Sequence, residues 1–94
     1  MDVVDPERLE RYFRITKEAL AMAQASTCRI QGFDDVRATF LDMIQRYISD
    51  AEHFAREDHV VDAFAALNYA HGWLDAGARI GLFDVHDSRL FAID

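Results

Sequence analysis

The stretch ALNYAHGWLDAGARIGLFDV, Ala66 to Val85, constrains the fold more than any other part of the chain. It reads as a helix that is apolar nearly all round, which places it either at the centre of a bundle or against another chain. At about 100° per residue, Asn68, Asp75 and Arg79 fall on one narrow polar line with His71 at its edge. Tyr69, Trp73 and Ile80 form a second apolar side beyond the core line of Val60, Ala63, Phe64, Leu67, Ala70, Leu74 and Ala78.

Two amphipathic helices precede it. Asp5-Pro6-Glu7 is a helix start, with a capping carboxylate, a proline that needs no N–H partner in the first turn, and an acid favoured by the dipole. Leu9, Phe13, Thr16, Leu20, Ala23 and Thr27 then recur at steps of four and three, with Tyr12 and Ala19 alongside; Arg8, Arg11, Arg14, Lys17 and Glu18 make the solvated face. Gly32 breaks the pattern. Asp34 or Asp35 is expected to cap the second helix. There Val36, Phe40, Met43 and Tyr47 form one stripe and Leu41, Ile44, Ile48, Ala51 and Ala55 another, a face wide enough for the second helix to sit against both others. A tight connection capped by Asp58 leads to the third helix, because one helix from Asp35 to Leu82 would be too long for this domain. The expected architecture is all-α: an antiparallel up-down-up three-helix bundle in one domain over residues 1–94. Its helices are placed at about 6–27, 35–57 and 59–82. A short C-terminal tail over 83–94 follows, in which Leu90, Phe91 and Ile93 need cover.

The residues from Ala66 to Val85 resemble the hallmark of a small archaeal family known as domain of unknown function 357. Gly72-Trp73-Leu74-Asp75-Ala76-Gly77 is the specific part, and the similarity extends from about Leu9 to Val85. The resemblance implies a compact antiparallel three-helix domain from an archaeon. It implies no activity, cofactor or catalytic residue.

Composition narrows the function classes. The 94 residues, 51% of them hydrophobic, suffice for one buried core. A net charge of −7 argues against nucleic acid as a partner, since phosphates require clustered cations. No uncharged apolar run is long enough to span a membrane. A single cysteine, Cys28, can form neither an internal disulfide nor a cysteine-based zinc site, which fits a reduced, cytoplasmic protein.

The residues that bear chemistry are few. Asn68, His71, Asp75 and Arg79 have helical neighbour spacing, so Asp75 can touch both His71 and Arg79. This is the arrangement of a groove for a small anion or a peptide carboxylate, or of a solvated line of local ion pairs. His53 and Glu57 at i,i+4 are too weak a signal for a metal, and no glutamate is followed at i+3 by histidine as a di-iron bundle requires. Arg79 with His86, and equally Arg46 with His53, repeat a spacing found in some helical ribonucleases, which gives it little specificity. Gly72, Ala76, Gly77 and Gly81 permit close approach of a neighbouring backbone or ring, either within the chain or at a dimer seam around Trp73. The expectation is a non-enzymatic protein-interaction or assembly module without cofactor or metal, meeting a second copy or another protein through Tyr69, Trp73 and Ile80. The alternative is a small anionic-ligand binding protein or enzyme on the polar line.

Overall fold

The computed structural model describes residues 5–92, so the cover expected for Ile93 lies outside the described residues. Three helices, α1 (Pro6–Ala25), α2 (Asp34–Arg56) and α3 (Val60–Ile80), pack as an all-α three-helix bundle, with no strand among the described residues. None of them is long and apolar enough to cross a membrane.

The helix ends show which local signals won. Asp5 caps α1 as its sequence suggests, accepting the Glu7 N–H at 2.9 Å. The helix stops at Ala25, where Ser26 turns extended and its hydroxyl donates to the Ala23 carbonyl at 2.6 Å, leaving Thr27 exposed and outside. Gly32, at φ +83°, makes the turn into α2. Neither Asp34 nor Asp35 caps that helix: the capping position is Phe33, and both carboxylates lie in the first turn, where they still complement the dipole. Asp58 does not cap α3 either. It adopts the left-handed conformation at φ +63°, donating to Ala55 while His59 donates to Phe54 at 2.8 Å, so it closes α2 where glycine is the usual residue. The break between α2 and α3 is therefore real and spans only residues 57–59.

Between the two outer helices lies α3 rather than α2. Its buried side carries Ala63, Ala66, Leu67, Ala70, Leu74, Gly77 and Ala78, meeting Ile44, Ile48 and Ala51 of α2 and Leu9, Thr16, Ala19 and Ala23 of α1. The alanines let the backbones approach closely. The outer helices touch each other least.

The tail belongs to the same core. Gly81 takes φ +95°, and the Gly77 carbonyl accepts the N–H groups of Gly81, Leu82 and Phe83, ending α3 sharply. The chain then folds back, burying Leu82, Phe83, Val85, Leu90 and Phe91. Phe83 lies fully buried against Gly77, which has no side chain to exclude the ring. Arg37 of α2 ties the end of α1 to this tail: its Nη2 lies 2.9–3.2 Å from the carbonyls of Ala23, Gln24 and Ser26, and its guanidinium stands over the Phe83 ring at 5.9 Å. Further along, Arg89 pairs with Glu18 of α1 at 2.7 Å.

Candidate functional site

The polar line of α3 faces α1 and the returning tail. Asn68 accepts a hydrogen bond from the Tyr12 hydroxyl at 2.7 Å. The His71 ring lies parallel to that of Tyr12, 5.2 Å between centroids, and its Nε2 is buried without a hydrogen-bond partner. Burial pushes the His71 pKa below its ordinary value, against the opposing pull of the Asp75 carboxylate. Burial thus favours the neutral form of this imidazole. Burial and the same carboxylate push the Tyr12 phenol up. Asp75 accepts the Ala92 backbone N–H at 2.9 Å and so holds the end of the described tail. Arg79 is exposed at the far end of the line.

Within the fold Tyr12 thus engages Asn68 and the Ala92 amide engages Asp75. Helical spacing does not bring Tyr12, 56 positions from Asn68, to the polar line. A tyrosine beside the core line of an amphipathic helix is the one available signal, since a half-buried phenol seeks a polar partner.

The second apolar side has a different geometry. Trp73 is half-buried, edge-on to Phe40 at 4.8 Å, while Tyr69 is 63% exposed and stacks on Tyr47 at 5.4 Å. Ile80 is 51% exposed. Between α2 and α3, Phe40, Asn68, Tyr69, Gly72, Trp73 and Ala76 line an open groove of about 370 Å³. A Cβ placed on Gly72 would meet nothing within 4 Å, so this glycine opens outward, whereas Gly77 and Gly81 serve the fold. Val61, 66% exposed in the first turn of α3, extends the same outward face.

A family model described as "Protein of unknown function (DUF357)" matches residues 11–83. The chain belongs to this family. No curated protein and no solved structure matches it. The part of the DUF357 domain that is matched takes in most of α1, all of α2 and α3, and the Phe83 ring that seats on Gly77.

The other chemical candidates of this DUF357 domain lie apart from the groove. Among the described residues no three His, Cys, Asp or Glu side chains are placed to hold a metal ion. His86 pairs with Asp84 at 2.9 Å, and Arg46 with Asp42 at 2.9 Å. Cys28 is half-buried and donates weakly to the Ile30 carbonyl at 3.4 Å.

Proposed function

We propose that this DUF357 domain is a non-enzymatic protein-interaction module that docks a partner on the outward face of α3. The carrying observation is the composition of that face. Nine residues of α3 are exposed, Val61, Asp62, Ala65, Asn68, Tyr69, Gly72, Ala76, Arg79 and Ile80, and only Asp62 and Arg79, near the two ends, are charged. By contrast α1 exposes seven charged side chains, as a solvated helix does. A continuous apolar face rimmed by polar residues is the mark of an interaction surface, and a groove beside Trp73 suits the apolar side of a helix. The small anionic-ligand or enzyme reading is weaker, because Tyr12 and Ala92 already engage Asn68 and Asp75. A reduced, cytoplasmic setting forms part of the same proposal, supported by the lone cysteine.

Trp73 is the sole tryptophan and reports on the groove directly. The neutral apolar dye N-phenyl-1-naphthylamine, added at a protein concentration where the solution mass is that of the monomer, should bind the folded protein and quench Trp73 emission by energy transfer. Gly72→Lys places an ammonium in the open space above the groove without touching the core. It should abolish the transfer while helix content is unchanged. Absence of transfer in the native protein, or its persistence in Gly72→Lys, would overturn the reading.

A further inference from the structure

We infer that the occupant of this face is a second copy of the chain, its α3 running antiparallel to the first and crossing it at Gly72. The inference rests on the docking reading above and adds the partner and its register. A twofold axis makes an interface self-complementary. With the axis at Gly72, a residue a given number of positions after it faces the residue that number before it.

The exposed side chains of α3 fit this register. Ile80, eight positions after Gly72, comes over Ala65, seven before; Tyr69, three before, comes over Ala76, four after. Tyr69 and Ile80 each meet an alanine of the other copy, while Val61, eleven positions before Gly72, faces a point just past the end of the partner's α3. Arg79, seven after, lies within three positions of the point opposite Asp62, ten before. That is about 4.5 Å along the axis, within reach of a flexible arginine, and the pair is formed twice. A parallel pairing would instead set Tyr69 on Tyr69, Ile80 on Ile80, Arg79 on Arg79 and Asp62 on Asp62, with like charges opposed throughout.

Charge also favours a copy over a basic partner. The chain carries −7 in total, yet the charges of this face are one Asp62 and one Arg79, which cancel. A copy approaching on this face meets no net charge, and a strongly basic helix would find no matching acidic row. At the crossing, Gly72 has no Cβ and open space above it, so the helices can approach to the near end of the usual interaxial range of about 8–10 Å.

The register makes a sharp test. With a Cα radius of about 2.3 Å per helix, two facing Gly72 Cα atoms lie within about 5.5 Å, the span of a disulfide. Val61 and its copy would lie about 33 Å apart along the axis. In a Cys28→Ser background, Gly72→Cys should oxidise in air to a covalent dimer and Val61→Cys should remain monomeric on non-reducing gels. Light scattering should give a dimer for the native chain, and Gly72→Lys should weaken dimerisation by roughly a hundredfold or more, because two ammonium groups would oppose each other at the axis. Cross-linking through Val61→Cys would overturn the antiparallel register. A native dimer unaffected by Gly72→Lys would move the interface to another face. A native monomer that still shows Gly72-dependent dye transfer would overturn the second copy while leaving the docking reading intact; a monomer without transfer would remove both.

Discussion

One substitution made at two glycines of α3 should give opposite results. Alanine is favoured over glycine inside a helix by about 1 kcal/mol. At Gly72 the new Cβ meets nothing within 4 Å, so Gly72→Ala should stabilise the monomer by about 0.5–1 kcal/mol. At Gly77 the same Cβ would fall against the Phe83 ring, 2.7 Å from Cδ2 and closer still to Cε2. Restoring an ordinary contact of about 3.5 Å requires the ring to withdraw by roughly an ångström. It has nowhere to go: Phe83 is fully buried, its N–H donates to the Gly77 carbonyl, and Arg37 stands over its face. The limiting outcome is loss of the ring from its seat, worth about 3–5 kcal/mol. Offset by the gain in helix propensity, Gly77→Ala should destabilise by about 2–4 kcal/mol, a fall in Tm of about 10 °C or more for a domain of this size. Urea unfolding followed by circular dichroism, at a concentration where the solution mass is that of the monomer, measures both. Equal stabilisation by the two substitutions would refute the claim that the tail is seated on α3.

Further outcomes follow from the same contacts. The folded His71 pKa is lowered, so the unfolded chain binds this proton first as pH falls below about 6.5, and stability present above that pH is lost through and below it; His71→Gln should lose less stability than the native chain between about pH 7.5 and pH 5 in paired urea titrations. Arg37→Met keeps an apolar stem near Phe83 but removes the donor facing three carbonyls, and should reduce unfolding free energy by about 1.5–3 kcal/mol, with Arg37→Lys restoring only part of it. Asp75→Ala should release the Ala92 amide, seen as faster hydrogen exchange at that residue, at about 1 kcal/mol of stability. The same variant should leave Trp73 dye transfer unchanged, since Asp75 does not line the groove.

Three helices and their core lines were legible because burial imposes the 3.6-residue period on sequence directly. Leu9, Ile44, Ile48, Leu67 and Leu74 all lie where their stripes place them. The caps were less legible. Asp34, Asp35 and Asp58 have the right chemistry, but the path of the chain decides: Gly32 turns so that Phe33 enters first, and Asp58 is taken up by closing α2. The tail carries no period at all, and its cover depends on Gly77 receiving Phe83 and on Arg89 reaching Glu18, contacts that local pattern does not encode. At the candidate site, the sequence put Asn68, His71, Asp75 and Arg79 on one line and Tyr69, Trp73 and Ile80 on another. It could not show that Tyr12 and Ala92 engage two groups of the first line, or that Phe40 anchors Trp73 and leaves a groove beside it.

The most direct measurement is a series of amide chemical shifts recorded from low micromolar to millimolar protein concentration. The account predicts changes confined to the outward face of α3, at Ala65, Tyr69, Gly72, Ala76 and Ile80, with the exposed residues of α1 constant. Shifts confined to α1, or none at any residue, would contradict it.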